Sequence, residues 1–312
     1  MNSQDDEQSL SSESLENYLP GVLYHYTSIE GFKGIIDKKC MRMTKYDQLN
    51  DTSEIILARD LIISIIKEYE CDPENMVFKE YLLKALEYFE NLNIFITSYS
   101  EKANDLEQWR AYAPKGGVAI GFDSNELARG FIDEILPDGE YKKERGVVFT
   151  PNGGGQGVRH QANFHKCLYV SGEAEERVKR SVAKWFKSEA YAGLFNLSTK
   201  EQADWTKFAT AVCQMTLSKS IYDLVTTIKH NAYKNEAEWR WVNRPKPESF
   251  TKRLDEKNRE YVTGGIHPED CIKEVWISPH GDKDTIKRVL NFYQEVHNLK
   301  FSIEESDIPY RG

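Results

Sequence analysis

The sequence predicts an α+β fold, and three observations support this prediction. Segments with strand and helix character do not alternate regularly, which disfavours a doubly wound sheet. Apolar residues make up 40% of the 312 residues, enough for a substantial core. The chain contains no internal repeat, heptad run or long low-complexity linker that would divide it. We therefore predict a flexible polar tail over residues 1–19 and a single domain over residues 20–312, with helical insertions at about 53–91 and 173–230.

Apolar spacing assigns the elements of the N-terminal half. Residues 29–38 carry four apolar side chains at helical spacing, directly after a strand predicted at 21–28. From residue 53, apolar residues recur at steps of three and four, which predicts an amphipathic helix with Asp51 as its N-cap. The same reasoning predicts a strand at 41–44, a helix opening at Asp72-Pro73, strands at 94–99 and 117–122, a helix at 106–112 and a helix begun by Asp123.

The C-terminal half combines a long helical stretch with further strands. Residues 173–230 predict two helices, divided near residues 197–198. A strand at 146–150 precedes this stretch and leads into the Gly-rich loop 151–157. After it we predict strands at 237–242, 260–263, 274–278 and 301–304 and a helix at 284–297.

Composition and charge limit the classes of protein that the chain fits. The net charge of −9 disfavours a surface that is basic throughout, so a nucleic-acid site would have to be a local basic patch. No run of 18 apolar residues occurs, and the first twenty residues are acidic and serine-rich, unlike a signal peptide. We therefore expect a cytoplasmic protein without a membrane partner. The five cysteines are widely spaced, and we expect no disulfide framework.

Common cofactor and catalytic motifs do not occur in the sequence. The G-x-G-x-x-G pattern fails in both registers of loop 151–157, because Val158 and His160 stand where the third glycine belongs. The chain has no Walker A lysine loop, no G-x-S-x-G elbow and no H-E-x-x-H helix. His160, His165 and Cys167 lack the second half of a zinc motif, so we favour a polar loop that leads into a strand and predict no metal.

Five short motifs follow one another along the chain, and their order is more specific than any one of them. They are His25-Tyr26-Thr27-Ser28, Asn50-Asp51 with Glu54, Trp109 with Tyr112, Glu236-Ala237-Glu238-Trp239-Arg240 and Ile308-Pro309-Tyr310-Arg311. This order resembles a poorly characterised bacterial family built on L-Y-H-Y-T-S and E-x-E-[YW]-R. The first motif also resembles that of ADP-ribosyltransferase-like proteins. The resemblance runs from about residue 21 to the end of the chain.

The resemblance implies an ADP-ribosyltransferase-like split β-sheet core and NAD⁺ as the co-substrate, with no metal. It also implies that His25 hydrogen-bonds the adenosine-side ribose and that Thr27 or Ser28 helps to hold the nicotinamide side. A lone histidine on an apolar strand is more often a hydrogen-bonded structural residue. The later Glu-rich motif is what favours a functional interpretation of His25.

Two carboxylates are the candidates for catalysis. Breaking the bond between nicotinamide and ribose creates an oxocarbenium-like centre, which a carboxylate stabilises while it holds the 2′-hydroxyl. We expect Glu238 to have this role. If both residues lie on one strand, Glu236 shares a face with Glu238 and is placed to orient or deprotonate the nucleophile. Neighbouring carboxylates also tend to raise one pKa, which suits a base. The alternative is an edge strand whose Glu and Arg side chains form surface ion pairs.

An aromatic ring is expected to stack on the nicotinamide. Tyr26, Tyr46 and Trp109 are all candidates, and the sequence does not choose among them. Trp109 and Tyr112 have helical i, i+3 spacing and fit a core position equally well.

The acceptor of ADP-ribose is expected at a basic cluster interleaved with aromatic residues, of which Lys142, Lys143, Arg145 and Arg159 are the substrate-binding candidates. RNA is slightly favoured over protein as the acceptor. The resemblance further implies an intracellular bacterial toxin or anti-phage effector, with a possible antitoxin protein docking on the helical stretch 173–230. Two alternatives remain open: a non-catalytic nucleotide-sensing protein, and an NAD glycohydrolase.

Overall fold

The computed structural model describes residues 19–49, 53–87, 93–129, 163–188, 220–243 and 252–309. The N-terminal half forms β1 (Val22–Thr27), α1 (Ile29–Lys38), β2 (Cys40–Lys45), α2 (Ser53–Glu68), α3 (Met76–Glu87), β3 (Phe95–Ser100), α4 (Leu106–Tyr112), β4 (Val118–Asp123) and α5 (Ser124–Arg129). The C-terminal half forms β5 (Asn163–Lys166), β6 (Leu168–Tyr169), α6 (Gly172–Lys187), α7 (220–227), β7 (Ile228–Lys229), β8 (Glu238–Asn243), β9 (Arg253–Leu254), β10 (Glu260–Gly265), α8 (Pro268–Cys271), β11 (Ile272–Ile277), α9 (Lys283–His297) and β12 (Ser302–Glu305).

Ten of the described strands form one mixed sheet, and β6 and β7 form a separate parallel pair. The main path runs β12-β11-β4-β1-β3-β2-β10-β9, while β8 lies between β3 and β5. Strand β3 is the branching point. One of its edges pairs with β8, and the other edge meets β2 at Ile96 and β1 at Ser100. Strands β1 and β2 therefore separate along β3, so the sheet divides at this strand.

Helices cover both faces of the sheet. On one face, Phe32 and Ile36 of α1 and Ile286 and Leu290 of α9 pack into the largest apolar cluster. We refer to this side as the α1/α9 face. The opposite side, the α2/α4 face, carries two apolar clusters: a large one beneath α2, α3, α6 and α7, and a small one in which Trp109 of α4 packs on β1 and β4. Both faces are buried because this mixed sheet forms the middle layer of the fold.

Polar side chains fix where several helices begin. The Ser28 hydroxyl accepts the Gly31 N–H at the start of α1, and the Asp105 carboxylate accepts two N–H groups at the start of α4. Asp123 accepts the Asn125 and Glu126 N–H groups, as its predicted capping role requires. These contacts satisfy donors that the first helical turn leaves without partners.

The predicted α+β fold is confirmed, and α1 and α4 have the predicted bounds. One correction concerns the stretch predicted as helical up to residue 230. Residues Ile228 and Lys229 form strand β7 instead, since they pair with β6. Strands β5 and β6 are too short to show a periodic pattern, so the sequence gives them no bounds. Most of the predicted tail, strand 146–150 and loop 151–157 lie outside the described residues, although Leu19 packs against the α1/α9 face.

No helix within the described ranges combines the length and the apolar character that a membrane crossing requires.

Gly264→Ala is expected to lower the free energy of unfolding by about 1–3 kcal/mol, because overpacking a full core displaces its neighbours. A Cβ atom at Gly264 would lie 2.2 Å from the ring of Trp241, a buried side chain that is stacked on Phe164. Chemical denaturation measures the effect. The matched control is Gly34→Ala, where a Cβ would meet nothing within 4 Å and helix propensity is improved. Equal unfolding midpoints for the two variants would contradict this packing argument.

Candidate functional site

A strip of polar side chains crosses the α2/α4 face between its two apolar clusters. Register pairs Ser100 with both Tyr24 and Glu238, and it pairs Ser98 with Arg240. Because paired residues of antiparallel strands point to the same face, these side chains lie side by side. Neighbouring positions on the same face belong to the large cluster on one side and to the small cluster beneath α4 on the other. Charged groups are therefore buried in the middle of the fold, where they need partners.

Arg240 is the first of two cations in this strip and is 3% exposed. Its Nε donates to Glu238 Oε1 at 2.8 Å, and its Nη2 donates to Glu54 Oε2 at 2.5 Å. Its Nη1 donates to the Thr226 carbonyl oxygen at 2.7 Å. The guanidinium thus joins β8 to α2 and to the end of α7, and its fork geometry suits two carboxylates at once.

Lys229 is the second cation, and it lies on the two-residue strand β7 with a side chain that is 6% exposed. Its Nζ is 2.6 Å from Glu236 Oε2, 2.5 Å from Glu238 Oε2 and 3.2 Å from Glu54 Oε1. The ring of Tyr233 lies 4.9 Å from the same nitrogen. One ammonium group therefore contacts three carboxylates from two parts of the chain, Glu54 of α2 and the two glutamates of the E-x-E motif.

The cluster holds one more carboxylate than cations, since Glu54, Glu236 and Glu238 face Lys229 and Arg240. When all five groups are ionised, their net charge is therefore −1. The side chain of Glu236 is 18% exposed, whereas those of Glu54 and Glu238 are 7% exposed. Glu236 is accordingly the carboxylate of the three that is closest to solvent.

The two glutamates of the E-x-E motif have opposite pKa shifts. Burial acts to raise the pKa of Glu238, but the charges of Arg240 and Lys229 outweigh it and lower that pKa to about 2. The stability that this carboxylate contributes is therefore present above its usual pKa of 4.5 and is lost as the pH falls through about 2. For Glu236, burial raises the pKa above the usual value, and Lys229 offsets part of this increase. Glu238 remains ionised at neutral pH, and Glu236 is the easier carboxyl to protonate.

The backbone around this motif differs from the predicted strand. Glu236 ends a 3₁₀ helix, Ala237 has a left-handed conformation with φ of 45°, and β8 begins at Glu238. The expectation that Glu236 and Glu238 share a strand face is therefore wrong. Their carboxylates still converge, because both contact the Lys229 ammonium group. The main chain beside them is held by the Ser100 hydroxyl, which donates to the Glu236 carbonyl at 2.6 Å, and by the Glu238 N–H, which donates to the Tyr169 hydroxyl at 3.0 Å.

The three aromatic residues predicted to stack on nicotinamide are buried. Trp109 is 0% exposed, Tyr46 2% and Tyr26 5%. Tyr26 packs edge-on against Trp109 at a centroid distance of 4.7 Å, and Tyr46 lies in the large cluster of the α2/α4 face. In this conformation none of the three presents a ring to a ligand, so their burial argues against the predicted stacking role.

Tyr112 is the exposed aromatic residue near the carboxylates, with 41% of its surface accessible. Desolvation of its hydroxyl, together with the negative charges of Glu238 and Glu236, raises the pKa of Tyr112 to about 12. From the sequence alone, the i, i+3 spacing of Trp109 and Tyr112 fits a core position and a position in the site equally well. In the structure, Trp109 is core and Tyr112 borders the carboxylate cluster.

His25 is not brought to the face of Glu238. It pairs with Ile120, whose side chain lies in the cluster of the α1/α9 face, and its ring centroid is 5.7 Å from that of Tyr99. Its Nδ1 donates to the Ser98 carbonyl oxygen at 3.0 Å, at the point where β1 and β2 separate along β3. Burial lowers the pKa of His25 while the bond to Ser98 acts against this, so the ring is neutral at pH 7. The expected pairing of His25 with Glu238 in one site is therefore not observed.

The remaining predicted site residues have other surroundings. Ser28 caps α1, so its hydroxyl is already used as a hydrogen-bond acceptor. Thr27 ends β1, and its hydroxyl lies against Gly31 in the first turn of α1. The proposed acceptor cluster at Lys142, Lys143, Arg145 and Arg159 lies outside the described residues, as do Asn50 and Asp51.

Sequence reasoning did not assign Lys229, and it left Glu54 and Arg240 without a role. A signal for Lys229 does exist. This lysine directly follows Ile228, the last of the apolar residues Ile221, Leu224, Val225 and Ile228 that recur at helical spacing, and a charged residue next to such a set is buried only if it has a partner. The sequence does not single out its three partners, and one of them, Glu54, is far away along the chain.

The structure gives His165 and Cys167 structural positions near the cluster. Cys167 is buried, its thiol is free, and its N–H donates to the Glu238 carbonyl at 2.9 Å. His165 pairs with Arg240 in the β5–β8 ladder, and its Nε2 lies 3.5 Å from an Asp223 carboxylate oxygen. The described residues include no group of three or more His, Cys, Asp and Glu side chains that fits a metal ion.

Comparison with known proteins finds a family that matches part of the chain. No curated protein and no solved structure matches the chain. The segment that does match spans α4 to β8 and includes Tyr112, Lys229, Glu236, Glu238 and Arg240. Over residues 108–241 the chain is similar to the family described as Protein of unknown function (DUF2971).

Proposed function

We propose that the chain is a mono-ADP-ribosyltransferase, which transfers ADP-ribose from NAD⁺ to a macromolecular acceptor and uses Glu236 and Glu238 at the nicotinamide ribose. One observation carries this proposal. Oxygens of Glu236 and Glu238 contact the same Lys229 nitrogen, so they lie within about 5 Å of each other. Two carboxylates with oppositely shifted pKa values are suited to different roles in one reaction.

Glu238 is suited to the electrostatic role. As an ionised carboxylate it stabilises positive charge on the ribose when the bond to nicotinamide breaks, and the departing electron pair neutralises the nicotinamide. Glu236 is suited to the role of general base, because it is closer to solvent and has the higher pKa. It takes the proton from the acceptor group as that group forms the new bond to ribose. Both carboxylates lie on the α2/α4 face, and His25 has no role in this scheme.

Tyr112→Ala is expected to raise the KM for NAD⁺ about 2- to 12-fold, which corresponds to an aromatic stacking energy of about 0.5–1.5 kcal/mol. In the proposal, Tyr112 replaces the three buried rings as the residue that stacks on nicotinamide, because 41% of this residue is accessible and it lies near the charges of Glu238 and Glu236. Initial-rate kinetics measure this effect. Tyr112→Phe keeps the ring and serves as the control, with KM near that of the unmodified chain. If both variants raise KM equally, the hydroxyl and not the ring is responsible.

The proposal extends to the acceptor and the setting of the reaction. RNA is slightly favoured over protein, because the sequence between β4 and β5 contains a basic cluster with aromatic residues among it. The resemblance of the sequence motifs supports action in the cytoplasm as a bacterial toxin or anti-phage effector, with an antitoxin as a partner.

Labelled NAD⁺ tests the proposed reaction directly. The purified chain is incubated with NAD⁺ labelled in the adenine ring, together with RNA, DNA and a protein extract, and each fraction is then separated. We expect the label in RNA or protein and an equal amount of free nicotinamide. Release of free ADP-ribose without any acceptor would identify a glycohydrolase. If all the label stays in intact NAD⁺, the proposed function is wrong.

A second function is favoured by one observation. Both carboxylate oxygens of Glu238 are bonded to cations of the protein itself, and the residue is 5% exposed. A carboxylate that is fully engaged in this way is suited to a structural role in a protein that binds a nucleotide without reacting with it. Calorimetry with NAD⁺ and ADP-ribose distinguishes the two, since a sensor binds the nucleotide and releases no nicotinamide.

A further inference from the structure

Lys229 is a buried lysine whose contacts with the site are as extensive as those of either catalytic candidate. An ammonium group has three N–H donors, and three carboxylates surround that of Lys229: Glu236 at 2.6 Å, Glu238 at 2.5 Å and Glu54 at 3.2 Å. The lysine backbone is fixed as well, because its carbonyl accepts the Val170 N–H at 2.8 Å. The nitrogen therefore has a defined position relative to the carboxylates.

The two cations of the cluster have different partners. Arg240 contacts Glu54 and Glu238, whereas Lys229 contacts both of these and also Glu236. Among the contacts of the described residues, Lys229 is the cation that joins Glu236 to Glu238. Glu236 belongs to a 3₁₀ helix and Glu238 to a strand, with a left-handed residue between them, so backbone geometry does not align their side chains.

We propose that Lys229 is a positioning residue that holds Glu236 beside Glu238 and so makes the two carboxylates one reactive pair. This inference rests on the proposed function. Lys229 does not touch the reacting atoms in this scheme, and it acts through the location and charge of Glu236. Without its ammonium group, three carboxylates would face a single guanidinium, and their mutual repulsion would drive one of them to bind a proton.

The surroundings of the pair determine what a pH measurement reports. The other ionisable groups that face it are Glu54 from α2, Tyr112 from α4, Cys167 between β5 and β6, Tyr169 from β6 and Arg240 from β8. Burial raises the pKa of the Cys167 thiol and of the Tyr169 hydroxyl, and Tyr112 has a pKa of about 12. Protonation of these three groups therefore does not produce an acidic limb, which we assign to the pair of Glu236 and Glu238.

The test is the pH dependence of NAD⁺ turnover in Lys229→Met. We expect kcat to fall at least tenfold, with KM changed less than threefold, because ligand contacts remain while the base is misplaced and partly protonated. The acidic limb of the kcat profile should move to higher pH by about one unit or more. Lys229→Arg keeps the charge and should restore part of kcat and part of the original position of the acidic limb. Lys234→Met, an exposed lysine of the same 3₁₀ helix, is the matched control and should behave like the unmodified chain.

A second variant separates positioning from simple charge balance. Lys229→Met combined with Glu54→Gln leaves Glu236, Glu238 and Arg240, which have the same net charge as the intact cluster. If Lys229 positions Glu236, the double variant still has low kcat when rates are corrected for the folded fraction. If kcat and the acidic limb return to the values of the unmodified chain, Lys229 acts by charge alone and the positioning role is wrong. An unshifted limb and an unchanged kcat in the single variant would also overturn it.

A spectroscopic measurement keeps this inference separate from the proposed reaction. Carboxyl ¹³C signals of labelled glutamate are followed against pH in the unmodified chain and in Lys229→Met, and Glu236→Gln identifies the signal of Glu236. We expect the midpoint of that signal to move to higher pH by about one unit or more. This readout needs no turnover, so absence of nicotinamide release would reject the proposed function alone. An unmoved midpoint would reject the pairing of Glu236 with Lys229.

Discussion

Glu238→Gln is expected to lower NAD⁺ turnover roughly 10²- to 10³-fold, the cost of removing one preorganised electrostatic contact to a transition state. Gln has nearly the shape of Glu, but it carries no charge to stabilise the ribose cation. The fold should tolerate this change, because two carboxylates then face two cations and the charges of the cluster balance. Nicotinamide release, measured with saturating NAD⁺, gives the effect on kcat.

The control for this variant is Glu305→Gln, which changes the same group at an exposed position on β12 that pairs with Lys287. It should keep full turnover. Circular dichroism and an unfolding curve establish that Glu238→Gln is folded. A folded Glu238→Gln protein with the turnover of the unmodified chain would exclude the proposed transferase mechanism and favour the nucleotide-binding alternative.

Arg240→Met is expected to reduce the free energy of unfolding by about 3–5 kcal/mol, because it removes one partner of a buried ion pair and leaves the other uncompensated. Glu238 and Glu54 would lose three hydrogen bonds in a place where Arg240 is 3% exposed, and the Thr226 carbonyl would lose its donor. Methionine approximates the length of the arginine stem, so the loss reflects charge and hydrogen bonding more than a cavity. Urea denaturation at pH 7 measures the change.

Arg42→Met is the comparison, since Arg42 lies at an exposed position of β2. It should alter the free energy of unfolding by less than about 1 kcal/mol. Combining Arg240→Met with Glu54→Gln should recover part of the lost stability, because one of the uncompensated charges is removed. Equal stabilities for Arg240→Met and Arg42→Met would mean that the buried cluster does not hold α2 to the sheet.

The sequence predicted most elements because their signals are local. Helix α1 has the predicted bounds, since Ser28 supplies the cap and apolar residues recur at helical spacing within one short segment. The prediction for Glu236 and Glu238 succeeded in part. Their proximity is real, but the reason is different, because the left-handed Ala237 separates Glu236 from strand β8 and the period of two does not apply to the pair. Backbone conformation at one residue is difficult to predict when an alanine adopts a geometry that usually belongs to glycine.

Local sequence patterns do not predict on which face His25 lies relative to Glu238. Alternation along β1 places His25 and Tyr26 on opposite faces, and the sequence contains that information. Which of these faces also carries Glu238 depends on the pairing of Tyr24 with Ser100 and of Ser100 with Glu238. Register between strands that are far apart in sequence follows from packing of the entire sheet, and a shift of one residue would exchange the faces.

By itself, the sequence determined the α+β class, the cap at Asp123, the apolar faces and the nearness of the two glutamates in the E-x-E motif. The tertiary structure decided which side chains those glutamates meet. It brought Glu54 and Lys229 to Glu238, buried the aromatic residues expected to bind nicotinamide and left Tyr112 accessible. The physical reason is that burial and charge pairing depend on distances between residues widely separated along the chain. Periodicity describes the face of one element, whereas a buried ion cluster requires several elements to meet at one point.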